Sequence, residues 1–190
     1  MSQNYYYFIA SLPHLNYSDK PPMSSAEFRE QCNQFLSSHD AALIKYCSYD
    51  AKLAVETVNP TGSKFIDLLL LRNRILHLTL ANLRAVEHKR PPLGEVPPDV
   101  PRAEAVAKSA YEMDDPLEAE LAIDRARWGV LDEMVGVDYF GVNNIYAYLL
   151  KLQLLERKLR FDTTKGYANY HEVYNTILNE YNSRVKEELS

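Results

Sequence analysis

The sequence has few of the residues that build loops, disulfides or metal sites. Its 190 residues include only 6 glycines, 2 cysteines and 1 tryptophan. Scarce glycine, together with long segments that repeat apolar residues at helical spacing, favours helices joined by short loops. Cys32 and Cys47 are not in a CxxC pair, and neither has a histidine nearby at a metal-ligand spacing. They are therefore expected to be reduced thiols of a cytoplasmic protein.

The sequence also lacks a block of basic residues and a long uncharged apolar run. The net charge is −5, and lysine and arginine are spread along the chain, which argues against a nucleic-acid partner. The segment closest to a membrane span, Phe65 to Leu83, contains Asp67, Arg72 and Arg74. The N-terminus does not have the pattern of a signal peptide. Any association with a membrane is therefore expected to go through a partner.

No catalytic motif is present. The sequence contains no GxxxxGK[ST], GxGxxG or GxSxG, and no Glu-x-x-His of the kind that di-metal helical bundles use. We therefore predict no enzymatic activity, no cofactor and no metal. One alternative is a metal-binding helical bundle that uses carboxylates, for which the candidates are Glu118, Glu120, Asp124 and Glu156.

A long apolar-periodic segment, Lys64 to Arg90, organises the chain. It has no Gly or Pro, and as a helix it is about 40 Å long. We predict an all-α fold in which a multi-helix bundle surrounds this central helix, with a short extended or irregular N-terminus. Asn4 to Ser11 could equally be the first turn of a buried helix.

Local signals mark further helices and one linker. A Ser24–Glu27 capping box begins one helix, Asp115 with Pro116 begins another, and a third is predicted over Val142–Phe161. The region from 91 to 101 holds five of the ten prolines and is predicted to be a stiff linker. Residues 1–190 are either one domain, or two lobes, 1–90 and 102–190, that this linker joins.

Three charged residues lie inside predicted apolar stripes: Arg72, Asp124 and Glu156. Because an isolated buried charge is unfavourable, each either reaches the rim of its stripe, pairs with another group, or serves an interface. Our favoured pair is Arg72 with Asp124, which would connect the long helix to the helix that begins at Pro116.

The 14 tyrosines form a second unusual feature. Tyrosine either covers the wet edge of a core or lies in protein interfaces. The candidate partner-contact residues are in two groups, one at each end of the chain: Tyr5, Tyr6 and Tyr7, and then Tyr167, Tyr170, Tyr174 and Tyr181.

The order of residues resembles a little-characterised bacterial family. The resemblance is carried by YYYFIASLP, by SSAEFREQCNQFLSSHDAALI, and by PLEAELAIDRARWGVLDEM with the later YLLKLQLLERKLRFDTTKGYANYHEVYN. Genes of this family lie among those of V/A-type ATPases. The family is also distantly similar to the all-helical ATPase subunit that seats the central stalk on the rotor ring, which we call the socket subunit. The socket subunit contains internal repeats. The resemblance implies that Asp124 with Trp128, and Asp67 with Arg84, occupy positions that recur in these repeats. The chain is shorter than the socket subunit, which has three helical lobes.

The resemblance implies a non-catalytic, cytoplasmic subunit or accessory factor of a V/A-type ATPase, peripheral to the inner face of the membrane. Its implied partners are the central stalk and the rotor ring, bound through helix faces and loops. A free-standing helical adaptor for protein–protein interaction is the competing hypothesis.

Overall fold

The computed structural model describes residues 5–57, 59–97, 102–137 and 139–161, and every regular element in these ranges is helical. This confirms the predicted all-α class. None of the helices in these ranges has the length and apolar character needed to cross a membrane. The elements are α1 (Tyr6–Ser11), α2 (Ser25–Phe35), α3 (Ser38–Leu43), a 3₁₀ turn (Ile44–Tyr46), α4 (Ala51–Glu56), α5 (Lys64–Glu87), α6 (Ala103–Tyr111), α7 (Pro116–Val135) and α8 (Val142–Arg160).

The helix starts follow the local signals in the sequence. Ser24 and Glu27 form the expected reciprocal capping box at the start of α2. The Ser63 hydroxyl accepts the Ile66 amide at the start of α5. The Asp115 carboxylate accepts the amide of residue 117, with proline at the first helical position of α7. These side chains satisfy amide groups that a helix end otherwise leaves without partners.

For the N-terminal segment the prediction left open an extended or irregular start and the first turn of a buried helix, and the structure shows the helix in place of the extended form. Residues Tyr6–Ser11 form a short helix, and its Phe8 side chain is buried. So short a helix is marginal by itself, and its conformation depends on packing against the rest of the protein. Helix α4 was also not predicted, because six residues give too little periodicity to recognise.

Two arginines stabilise the ends of the short helical segments. Arg74 on α5 donates from Nε to the Ala54 carbonyl at 2.9 Å and from Nη2 to the Thr57 carbonyl, at the end of α4. Arg29 on α2 donates to two carbonyl groups around the 3₁₀ turn, at 3.1 and 3.0 Å. Carbonyl groups at the end of a helical segment have few backbone donors, although the Ile44 carbonyl also accepts the Cys47 amide, so these guanidinium groups supply additional hydrogen bonds and a favourable charge.

The larger hydrophobic core surrounds α8. Between Ile145 and Leu155 this helix is buried on nearly all sides, which is typical of a central helix. Side chains from α1, α2, the 3₁₀ turn and the first half of α5 pack in the same core. Helix α5 is the longest, with 24 residues or about 36 Å, but α8 is the more deeply buried.

A smaller core lies between α5, α6 and α7. Its buried members are Leu76 and Leu80 of α5, Ala107 and Ala110 of α6, and Ile123 of α7. Helix α6 therefore packs against both α5 and α7, through the one face that carries Ala103, Ala107 and Ala110.

Contacts divide the chain into two compact units, Met1–Glu156 and Arg157–Ser190. The first unit contains α1 to α7 and α8 as far as Glu156. In the second unit the structure describes residues 157–161. The separate prediction of two lobes joined by residues 91–101 stays a prediction.

Candidate functional site

Tyr5 fixes the short helix α1 to the body of the protein. Its backbone amide donates to the Phe140 carbonyl at 2.9 Å, in the turn between α7 and α8. Its hydroxyl donates to the Asp40 carboxylate and accepts the Ser37 amide at 3.2 Å. The side chain is only 6% exposed. These contacts connect α1 to the start of α3 and to the α7–α8 turn, so the orientation of α1 is well defined.

The Tyr5–Asp40 hydrogen bond changes the ionisation of both groups. Burial raises the pKa of Tyr5, and the bond to the Asp40 carboxylate raises it further. Burial alone would raise the pKa of Asp40, but hydrogen bonds from Tyr5, His39 and Ser37 outweigh it and lower that pKa. At neutral pH the pair is therefore a neutral phenol donating to a carboxylate, which is a charge-assisted hydrogen bond.

Stacked rings hold α1 on the core. The Phe8 ring stacks on Phe28 at a centroid distance of 5.8 Å and on Phe35 at 4.7 Å. Phe28 is fully buried, whereas Phe35 remains partly open to solvent at the end of α2. Aromatic pairs contribute about 0.5–1.5 kcal/mol beyond their buried area. This stacking, with the Tyr5 contacts, supports α1 as a rigid platform.

Three exposed aromatic side chains contact one another on the outside of this platform, and a fourth, Tyr139, is exposed beside Phe140 in the chain; we call these four residues the aromatic surface. It consists of Tyr6, Tyr7, Tyr139 and Phe140, which are 47%, 89%, 66% and 40% exposed. The Tyr6 ring lies 4.8 Å from Phe140 and 5.5 Å, edge to face, from Tyr7. Rings from two distant parts of the chain thus meet on one surface.

A groove of about 570 Å³ adjoins the aromatic surface and shares Tyr139 with it. It lies between the end of α1 and the facing parts of α7 and α8, and its lining includes Ile9, Asp132 and Lys151. Lys151 forms a salt bridge with Asp132 and lies 4.9 Å from the ring centroid of Trp128. The lining also includes His14 and Asn144, so the groove combines apolar and polar walls, which suits a side chain or a short segment of another protein that carries both kinds of group.

The structure describes the first group of predicted contact tyrosines and separates its members. Tyr6 and Tyr7 lie in the aromatic surface, while Tyr5 is buried beneath it and orients α1. Partner contact by these residues stays a prediction. The second predicted group lies outside the described residues: Tyr167, Tyr170, Tyr174 and Tyr181. Sequence reasoning missed Tyr139 and Phe140. The signal that could have identified them is a pair of consecutive large aromatic residues between Gly136 and Gly141.

The buried charge Asp124 forms a salt bridge on its own helix. Its Oδ1 accepts from Arg127 Nη1 at 3.1 Å, and Asp124 is completely buried. The Arg127 guanidinium also lies 4.6 Å from the ring centroid of Tyr49. The i, i+3 spacing of Asp124 and Arg127 is a sequence signal that our reasoning did not use. Arg72 lines the same cavity as Arg127, and its predicted pairing with Asp124 stays a prediction.

The third charge in an apolar stripe, Glu156, binds the start of α2. Its Oε1 accepts the Ser25 amide and its Oε2 accepts the Ser25 hydroxyl, both at 2.6 Å. A carboxylate at a helix N-terminus is favourable because it satisfies a free amide and complements the helix dipole. Glu156 therefore joins the end of α8 to α2.

The carboxylates of the metal-bundle alternative lie in different settings. Glu118 is exposed on α7, Asp124 is bound to Arg127, and Glu156 is bound to Ser25. Glu120 is half-buried in a separate groove near the start of α7. Within the described ranges, no group of three or more His, Cys, Asp or Glu side chains is arranged to hold a metal ion.

Comparison with known proteins gives one match. Residues 95–181 match the profile of a family described as a protein of unknown function (DUF2764), which is similarity over less than half of the chain. No curated protein and no solved structure matches the chain.

Proposed function

We propose that this protein is a non-catalytic structural or accessory subunit of a V/A-type rotary ATPase, similar to the socket subunit. In this role it seats or couples the central stalk at the rotor ring, on the cytoplasmic side of the membrane, and it meets the membrane only through its partners. Two things support the proposal: the resemblance of most of the sequence to a family encoded with these ATPases, and the all-helical fold. The aromatic surface is the observation that supports a role in binding another protein.

The size of the aromatic surface is that of an interface core. The exposed fractions of Tyr6, Tyr7, Tyr139 and Phe140 together equal about two and a half aromatic side chains, or roughly 400–500 Å². The largest apolar patch of a typical monomer is about 300–600 Å² and is often functional. A stable interface buries about 800 Å² on each partner, so the surface supplies about half of one side. The adjoining groove supplies further area.

The rigidity of the surface also supports binding. Association is weakened when loops and side chains must become ordered, at about 0.5–1.5 kcal/mol for each immobilised side chain. The Tyr5 contacts and the Phe8 stacking already order α1 in the free protein. More of the contact free energy therefore remains available for the partner.

Co-purification from native membranes tests the proposal. A tagged chain is expressed in its own host, and the ATPase stalk subunits that accompany it are quantified by mass spectrometry. The wild type should retain them, and Tyr7→Ser with Tyr139→Ser should reduce recovery at least tenfold, since central interface aromatics often contribute about 2 kcal/mol or more each. Val86→Ser changes an exposed apolar side chain on α5, outside the aromatic surface. It is the matched control and should leave the recovery of the stalk subunits unchanged.

The competing function, a helical adaptor unrelated to ATPases, predicts a different result in the same experiment. The aromatic surface favours it equally, because the surface does not identify the partner. The adaptor is favoured if the wild type co-purifies with one specific partner that is not an ATPase subunit, and if the same two substitutions reduce the recovery of that partner. A wild-type chain that purifies as a monomer without ATPase subunits contradicts the subunit role. The genes that neighbour this one distinguish the two functions independently.

A further inference from the structure

A short exposed segment follows the long helix α5. It consists of residues 90–93, Arg-Pro-Pro-Leu, which we call the proline segment. All four residues are exposed, and Leu93 is 71% exposed. Arg90 and Pro91 each precede a proline, which disfavours helical backbone and favours the extended polyproline II form. The segment therefore presents two proline rings and a leucine side chain to solvent.

The structure holds the proline segment at both ends. At the end of α5, the Arg90 amide donates to a carbonyl of the last helical turn at 2.7 Å, and Lys89 has a left-handed φ of 55°. A residue in this conformation commonly ends a helix, and it turns the chain away from the helix axis. At the other end, the Asn82 side chain of α5 accepts the Leu93 amide at 2.8 Å and donates to the Gly94 carbonyl at 2.9 Å. Both polar groups of Asn82 thus fix the direction of the segment.

The aromatic surface and its adjoining groove have the properties of a receptor for such a segment. Polyproline segments bind grooves lined by aromatic side chains, and their free carbonyl groups accept hydrogen bonds. The exposed rings of Tyr7, Tyr139 and Phe140 provide flat faces for proline rings. The groove of about 570 Å³ begins at Tyr139, and its lining includes Ile9 as an apolar wall and His14 as a polar group. It therefore suits a leucine side chain with the backbone beside it.

We propose that the proline segment of one copy binds the aromatic surface and groove of a second copy. Pro91 and Pro92 pack on the exposed rings, and Leu93 enters the groove. In the described ranges no residue of the segment lines this groove, and Asn82 holds the segment on α5, so the occupant comes from another molecule. The two surfaces differ, so the contact is head-to-tail, and one copy binds two neighbours. The inference does not depend on the proposed function, because it involves a single protein.

The size of the contact sets its expected strength. The aromatic surface supplies roughly 400–500 Å² on one side, and a segment that covers it buries a similar area on the other. The total is below the roughly 1,200 Å² of a standard stable interface, so the association is of the weak, transient class. Because the segment is already held in its binding conformation, little affinity is lost to ordering. We therefore expect a dissociation constant of roughly 100 µM.

Sedimentation velocity of the purified full-length protein tests the proposal. The wild type should associate reversibly as its concentration passes the expected dissociation constant. Leu93→Ser damages the segment and keeps the aromatic surface, whereas Tyr7→Ser with Tyr139→Ser does the reverse. Each variant alone should stay monomeric, because it lacks one half of the contact. An equimolar mixture of the two should form a 1:1 complex with about twice the 21.9 kDa mass of a monomer, and nothing larger.

Two further variants show whether the held conformation is responsible. Asn82→Ala releases the segment and should weaken association about threefold to tenfold, and unchanged association contradicts the proposal. Val55→Ser changes an exposed apolar side chain on α4, outside both surfaces, and should associate like the wild type. Far-UV circular dichroism checks that each variant is folded.

Three outcomes overturn the proposal. The first is a wild type that stays monomeric at about 1 mM, ten times the expected dissociation constant. The second is a folded Leu93→Ser variant that still associates with itself, as a symmetric contact between two aromatic surfaces would produce. The third is a mixture of the two folded variants that forms no complex.

Discussion

Replacing Glu156 with Gln tests the connection between the end of α8 and the start of α2. In the native protein the two carboxylate oxygens accept the amide and the hydroxyl of Ser25, each at 2.6 Å. A glutamine keeps the shape of the side chain but has one acceptor oxygen and no charge. One of the two bonds to Ser25 is then lost or reversed, and the favourable interaction with the α2 dipole disappears.

The expected loss follows from these contacts. A hydrogen bond to a charged group contributes about 1.5–3 kcal/mol, and a charge at a helix N-terminus about 0.3–1 kcal/mol. Because the site is partly open to solvent and one hydrogen bond survives, we expect Glu156→Gln to lower the free energy of unfolding by about 2 kcal/mol. Ser25→Ala removes only the hydroxyl bond to the carboxylate and should cost about 1.5 kcal/mol, the lower end of that range, because the site is partly open to solvent.

Urea denaturation followed by far-UV circular dichroism measures both losses, and the double variant measures their coupling. The double variant should be more stable than the sum of the single losses predicts, by at least about 0.5 kcal/mol. Glu30→Gln is the control on an exposed position of α2, where a surface substitution should change stability by less than about 0.5 kcal/mol. The reasoning fails if Glu156→Gln behaves like Glu30→Gln, or if the losses at positions 25 and 156 simply add.

Three further predictions address the charged and titratable groups. A double-mutant cycle with Arg72→Met and Asp124→Asn should give a coupling of about 0.5–3 kcal/mol, and additive losses of stability would exclude the predicted pair. Tyr5→Phe should lower stability at pH 7 by about 1–2 kcal/mol. The folded-state pKa of Asp40 is depressed, so this contribution is present above the unfolded pKa of about 3.9 and is lost as the pH falls through the folded value. The effect of Tyr5→Phe should therefore shrink in acid, and an effect independent of pH would contradict it. Burial raises the pKa of Cys47 to about 12, so little of its reactive thiolate is present at pH 7. Thiol labelling of Cys47, followed by mass spectrometry at pH 7, should therefore be at least about a hundredfold slower in the native than in the unfolded protein. Equal labelling rates would contradict the burial of Cys47.

The helices with strong local signals could be predicted from the sequence. The starts of α2, α5 and α7 have capping side chains at Ser24, Ser63 and Asp115, and the structure has each of them. Capping depends on residues within one helical turn, so a single sequence contains the necessary information. Helices α1 and α4 have six residues each, and their conformation depends on contacts with distant segments.

The positions of buried charges could be predicted better than their partners. The apolar stripes identified Asp124 and Glu156 as charges on inward-facing sides of helices. Asp124 is completely buried with Arg127, three residues away on the same helix. Glu156 binds Ser25, which is 131 residues away in sequence, and no local pattern indicates which segment α8 meets there. Such partners follow from tertiary packing, which a single sequence does not reveal.

The aromatic surface was only partly predictable, for a related reason. The run Tyr5 to Tyr7 was recognised as a candidate contact region, but Tyr5 precedes the first helical residue of α1 and is buried, whereas Tyr6 and Tyr7 are exposed. Which of the three side chains faces the protein depends on how α1 packs on it, which a single sequence does not reveal. The contribution of Phe140 depends on how the α7–α8 turn meets α1 through the Tyr5 amide.

The alanine-rich inner side of α6 has a consequence for local unfolding. Ala103, Ala107 and Ala110 are its buried residues, and burying a methyl group contributes about 0.8 kcal/mol, compared with about 1.5–3 kcal/mol for a leucine or isoleucine side chain. Helix α6 therefore detaches at a lower free energy than the leucine-rich α8, and its amide hydrogens should exchange with solvent earlier. Since Ala103 and Val106 of α6 line the cavity between α5 and α7, detachment of α6 would expose that cavity and the buried side chains around it to solvent.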